Sequence, residues 1–197
     1  ARGLDGLDEP HATIEAMAAD YVDEIRARQG EGPYFIGSLC IGAFVAIEMA
    51  RILPASGEMV LPLLLLDPPI RPFAMPASRV TEEAMVERIH KRHAMGRIEA
   101  RIDEPHYARA SVRTAIAFET AIRAYRAAPY DGHVCILSSR DRLAGLPTSQ
   151  LAGLFSGAID RFDVATRHTE ILDAHNAMFA AAIKRCLGIV HDSAKVC

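Results

Sequence analysis

Residues 34–50 hold the feature that most restricts the folds open to this chain. The apolar run Tyr34-Phe35-Ile36 gives way to Gly37-Ser38-Leu39-Cys40-Ile41-Gly42, and the helical run Ala43-Phe44-Val45-Ala46-Ile47-Glu48-Met49-Ala50 follows at once. A strand therefore runs into a tight turn, one reactive side chain sits at the tip, and a helix departs. This is the layout of a nucleophile elbow, whose strained turn lifts a nucleophile above the carboxyl end of a parallel strand. The usual spelling is G-x-S-x-G. Here Ser38 stands for the leading glycine and Cys40 for the serine.

The elbow is one step in a longer alternation. Ile14, Met17, Ala18, Tyr21, Val22 and Ile25 recur at helical spacing and predict an amphipathic helix over 13–29, stopped by Gly30-Glu31-Gly32-Pro33. Strands are predicted over 34–37, 59–66 and 133–137, with a fourth short strand over 168–172. Helices are predicted over 41–53 and 176–187. Strands alternating with helices indicate an α/β fold with a mainly parallel sheet. Residues 71–128 interrupt the alternation: they are rich in Ala, Arg, Glu and Met, periodic at helical spacing and free of strand signal. They read as an inserted helical lid, expected to cover the site. A strand at 34–37 would leave the sheet an unprotected apolar edge, which isolated proteins avoid. Together with a start at Ala1-Arg2-Gly3-Leu4-Asp5-Gly6, lacking an initiator Met, this leads us to expect a piece of a longer polypeptide whose N-terminal strands are missing here.

Composition narrows the classes. Of 197 residues, 50% are apolar, enough for one domain with a sizeable core. A formal net charge of -3 gives no reason to expect nucleic acid or an anionic membrane as partner. Cys40, Cys135, Cys186 and Cys197 are scattered, which argues against a zinc knuckle or a secreted disulfide framework and fits a reducing, cytoplasmic setting. No metal site is predicted. The longest apolar stretch, 59–66, contains Pro62 and is too short to cross a bilayer.

Nucleophilic acyl transfer needs a nucleophile, a base within hydrogen-bond reach, and a group that orients and charge-balances the base. In elbow enzymes the chain order is nucleophile, acid, histidine. Cys40, Asp67 and His175 obey it, each at the carboxyl end of a predicted strand, where open parallel sheets gather their sites. Cys40 is also readable as a small buried hydrophobe, the commonest fate of cysteine. Against that, a helix beginning at Ile41 aims its N-terminal dipole at the sulfur and favours thiolate. Asp67, beside Pro68, is also readable as a strand-ending turn residue. Asp141, after the strand at 133–137, is the alternative acid. Of the other histidines, His90, His93 and His106 lie in the lid, His11 and His191 near the ends, and His133 and His168 at strand starts. His175 alone falls between a predicted strand end and a helix start. The Ile41 backbone N–H is the expected oxyanion donor, as the residue after a nucleophile usually is.

The stretch from Gly32-Pro33-Tyr34-Phe35-Ile36-Gly37 to Ala46-Ile47-Glu48-Met49-Ala50 closely resembles the thioesterase domains that end nonribosomal peptide and polyketide synthetases, whose elbow typically reads GPYxLGGxSxGGxVAFEMA. The first six residues, Leu65-Leu66-Asp67-Pro68-Pro69 and Asp173-Ala174-His175 are similar to that family too. The resemblance implies an α/β-hydrolase fold over 1–197, N-terminally incomplete, with its lid at about 71–128. It implies Asp67 as acid and His175 as base. It also implies a second oxyanion donor on a loop after an earlier strand, for which this chain shows no counterpart. The implied activity is release, by hydrolysis or cyclisation, of an acyl or peptidyl chain from the phosphopantetheine arm of a carrier protein, through a Cys-linked acyl-enzyme. No cofactor is implied for the domain itself, and the implied partner is an acyl or peptidyl carrier protein of the same polypeptide. The competing readings are a stand-alone acyl-thioester or ester hydrolase and a non-catalytic acyl-binding module.

Overall fold

A computed structural model describes residues 2–69, 81–94, 104–140, 153–165, 167–171, 184 and 188. The chain divides into two compact units, one built on Ala18–Pro72 and Ala127–Cys197, the other on Ala1–Met17 and Phe73–Arg126.

The first unit carries the sheet. Strands β1 (Gly37–Leu39), β2 (Leu63–Leu66), β3 (Val134–Ser139) and β4 (Ile159–Val164) are all parallel and pair in the order β1-β2-β3-β4. The α/β class with a parallel sheet is thus as the sequence predicts, while three strand positions differ. Tyr34 makes only an isolated bridge to Val60, and the ladder begins at Gly37 opposite Leu64. Pro62 has no N–H to donate, so β2 starts after it and β1, its partner, starts correspondingly late. The last strand is not at 168–172 but at Ile159–Val164, and His168–Glu170 is a 3-10 turn. β4 stands at one end of the strand order and carries Asp160, Arg161 and Asp163. Its charges suit a sheet edge and conceal the strand from a reading based on apolar runs.

Helix α1 (Ile14–Arg28) precedes β1, and α2 (Ala43–Ala55) connects β1 to β2. Side chains alternate across a strand, so Leu63 and Leu65 of β2 face one side and Leu64 the other. On the first side Leu63, Leu65, Val134 and Ile136 pack with Ala43, Ala46, Ile47, Ala50 and Leu53 of α2. Leu64, Cys135, Leu137, Val164 and Ile171 form the core of the opposite side. Leu65 is fully buried on a strand flanked by β1 and β3. Leu65→Ala is therefore expected to cost about 2–5 kcal/mol, the lost transfer energy plus an unfilled cavity. Urea unfolding measures it; a loss below about 1 kcal/mol would contradict this packing.

The described residues of the second unit are mostly helical. Helices α3 (Glu82–Ala94) and α4 (Pro105–Ala124) pack Met85 and Ile89 against Val112. Burial pushes the Glu119 carboxyl up, but hydrogen bonds from Arg123 (2.7 Å) and Arg88 outweigh it and hold the group below the usual carboxylate range. The unit also takes in the start of the chain, which the sequence reading left outside it. Arg113 of α4 reaches Glu9 at 2.9 Å and the Asp8 carbonyl at 2.8 Å, and His106 donates to the Asp5 carbonyl. No described helix is long and apolar enough to cross a membrane.

Candidate active site

Parallel pairing brings Cys40 and Asp67 together. Leu39 is paired with Leu66, so the next residue of each strand leaves the sheet at the same level on adjacent strands. Among the described residues these two are the non-glycine residues with positive φ, 53° at Cys40 and 49° at Asp67. A non-glycine residue in that region costs of order 1–3 kcal/mol and persists only where its surroundings over-determine it. At Cys40 the determinants are visible. β1 ends at Leu39, a 3-10 turn spans Cys40–Gly42, the Ala43 N–H donates to the Cys40 carbonyl, and α2 begins. The elbow expected from the sequence is present, with a partly exposed thiol at its tip.

Ile41 follows at the start of the turn and is 40% exposed. The first N–H groups of a helix lack intrahelical acceptors, which places its backbone donor among those able to serve a ligand oxygen. Ser38 is less easily read. Its hydroxyl oxygen is buried and lacks a hydrogen-bond partner among the described residues, and nothing in the structure explains a serine there.

Asp67 is fully buried, and a buried carboxylate must be hydrogen-bonded to persist. The Ser139 N–H donates to Oδ1 at 2.8 Å, and the Ser139 hydroxyl donates to Oδ2 at 2.8 Å. The third donor is Nδ1 of His168, on Oδ2. The Asp67 backbone N–H donates to the Leu137 carbonyl at 2.6 Å, locking the strand end against β3. Asp67 is therefore the anchor of a network spanning the carboxyl ends of β2, β3 and β4, and more than a turn residue.

His168 and Ser139 were not among the residues singled out by sequence. His175 and Asp141, which were, lie outside the described residues. The signal for His168 was nonetheless present. The rule that selected His175 was a histidine just after the last strand. Once that strand is seen to end at Val164, the same rule selects His168, four positions on. The Nδ1–H bond to Asp67 leaves Nε2 as the imidazole acceptor, the tautomer a general base requires.

Comparisons with known proteins agree with this architecture. A family model described as "Thioesterase domain" matches residues 2–186. Nonribosomal peptide synthetase apvA of Aspergillus terreus is 42% identical over 60 residues, 30% of this chain and 6% of that protein. Polyketide synthase PksR of Bacillus subtilis is 38% identical over 71 residues, 36% of this chain and 3% of that protein. The chain thus spans a small fraction of either relative's length. Among solved structures, the NocB thioesterase domain in covalent complex with a fluorophosphonate nocardicin G analog superposes with a TM-score of 0.67 and 28% identity. That match covers 92% of this chain and 78% of its own. The fold is that of α/β-hydrolase thioesterases, and a family match running from residue 2 to residue 186 leaves one conclusion: the chain belongs to the thioesterase domain family.

Proposed function

We propose that this domain releases an acyl or peptidyl chain from the phosphopantetheine arm of a carrier protein, with Cys40 as nucleophile, His168 as base and Asp67 as the acid that orients it. The observation that carries the reading is the hydrogen bond from His168 Nδ1 to the buried Asp67 carboxylate, one position across the ladder from the elbow cysteine. The relatives that are synthases and synthetases support a carrier-bound substrate. The covalent fluorophosphonate complex of the NocB domain supports covalent chemistry in this fold.

The step begins with transfer of the Cys40 thiol proton to His168 Nε2. The sulfur adds to the thioester carbonyl carbon, and the oxyanion accepts a hydrogen bond from the Ile41 N–H. Collapse breaks the bond to the pantetheine sulfur, which leaves as a thiolate and takes the proton back from His168. The acyl group has moved from one thioester to another, so loading is close to thermoneutral. His168 then deprotonates water, or an amine or hydroxyl of the bound chain, whose oxygen or nitrogen adds to the acyl carbon; collapse breaks the bond to Cys40, which leaves as thiolate and takes the proton back from His168. A thioester intermediate reacts faster with amines than an oxygen ester does, which favours amine-mediated release. Phosphopantetheine belongs to the partner, and the domain itself needs no cofactor for these steps.

Intact-protein mass spectrometry with acyl-pantetheine thioesters and with acyl-carrier protein tests the reading. One acyl mass is expected to accumulate on the domain, faster from the carrier-bound substrate, and to be blocked by prior iodoacetamide. Equal or faster loading from acyl-pantetheine would favour the stand-alone hydrolase. An inert thiol with no acyl adduct would favour the acyl-binding module and sink the proposal.

A further inference from the structure

A second group of chemistry-bearing side chains lies away from the candidate active site. His133, just before β3, Cys135 in β3 and Asp160 in β4 bring one imidazole nitrogen, one thiol sulfur and one carboxylate oxygen within 4.8 Å of one another. The backbone sets this arrangement. His133 and Cys135 are two residues apart along β3 and share a face, and Cys135 and Asp160 are paired across the ladder. Cys135 is fully buried at the base, while the His133 and Asp160 side chains are 28% and 41% exposed at the rim. His133 Nε2 lies 2.7 Å from Asp160 Oδ2.

We propose that these three residues form a zinc site that staples β3 to β4. Tetrahedral zinc takes sulfur at about 2.3 Å and nitrogen or oxygen at about 2.0–2.2 Å, which places donor atoms roughly 3.4–3.6 Å apart. The observed set reaches that spacing when the imidazole and carboxylate part by less than about 1 Å while the sulfur draws in, within the reach of side-chain rotation. Thiolate plus carboxylate balances the charge of a divalent cation, and the mixed N, S, O set suits zinc better than magnesium or calcium. Binding releases the thiol proton, and a water completes the fourth position at the open rim. The site sits toward the amino ends of the strands. Ser139 lies four steps along β3 from Cys135, roughly 13 Å at strand rise, so the role of this site is structural. The four cysteines, read as a sequence, concealed it. The ligands come from two strands and follow no short-range spacing.

The test is Co2+ titration of the full-length Cys40→Ser chain, with Zn2+ as competitor. That background removes Cys40, the other cysteine thiol among the described residues. A sulfur-to-cobalt charge-transfer band saturating at one equivalent and abolished by Zn2+ is expected, together with a higher melting temperature in Zn2+. Cys135→Ser should erase the band. His133→Ala and Asp160→Asn should each weaken binding by more than the roughly 10–100-fold that loss of an outer-shell partner costs. The two rim variants decide the matter if Cys135→Ser does not fold. Absence of the band, or a band that survives Cys135→Ser or both rim variants unweakened, overturns the site.

Discussion

Cys40→Ala is expected to lower thioester turnover on the order of 10⁶-fold, the scale at which loss of a triad nucleophile removes the covalent route. The acyl adduct should vanish with it, since no other described group sits at the elbow tip. The fold should not suffer. Alanine keeps the Cβ and so keeps the left-handed strain at φ 53°, and the thiol is only partly buried. Melting temperature is accordingly expected to stay near that of the parent chain. Cys40→Ser should retain measurable turnover, because serine is the usual residue of such an elbow. The His168→Ala change added to Cys40→Ala should cost almost nothing more, because residues acting as one unit are not additive. Activity lost without stability identifies a residue strained for its chemistry. A large fall in melting temperature with little change in rate would assign Cys40 to the core instead.

What was legible in the sequence, and what was not, follows from how each element is stabilised. The elbow could be read because its parts are local: an apolar run, a tight turn and a helix in which eight residues from Ala43 to Leu53 are buried. β3 could be read because a central parallel strand is buried on both faces, and its first four residues, Val134 to Leu137, are all apolar and buried. β4 could not, because Ile159–Val164 earns its place by pairing with β3 along its whole length rather than by its own composition. That one displacement carried into the site. With the strand set at 168–172, His168 looked like the start of a strand and His175 like the residue after its end. Asp67 was legible from its place at the carboxyl end of the strand after the elbow, whereas Ser139 was not. A serine that satisfies a carboxylate 72 positions earlier leaves no mark in its own neighbourhood. The packing of Asp8 and Glu9 onto α4 is equally non-local.

His168→Ala is expected to slow acyl loading by about 10²–10⁴-fold, the usual contribution of a positioned general base. The loss is smaller than for Cys40→Ala because the sulfur nucleophile itself remains in place. What the base adds follows from the hydrogen bonds behind it. Ser139 fills one position on each Asp67 oxygen, and His168 Nδ1 takes a second on Oδ2. That bond fixes the proton on Nδ1, leaves Nε2 as the ring's acceptor, and places a buried negative charge beside the imidazolium formed as the thiol gives up its proton. Without the imidazole the thiol proton has no positioned acceptor, so the fall should appear in the acyl-transfer step itself, with thioester binding little changed. His175→Ala should leave loading within a small factor of the parent. Single-turnover loading measured by rapid-quench mass spectrometry, on variants shown to be folded by circular dichroism, separates the two histidines. Should His175→Ala abolish loading while His168→Ala leaves it intact, the base would be His175, and the Asp67–His168 bond would be a structural tie between the ends of β2 and β4.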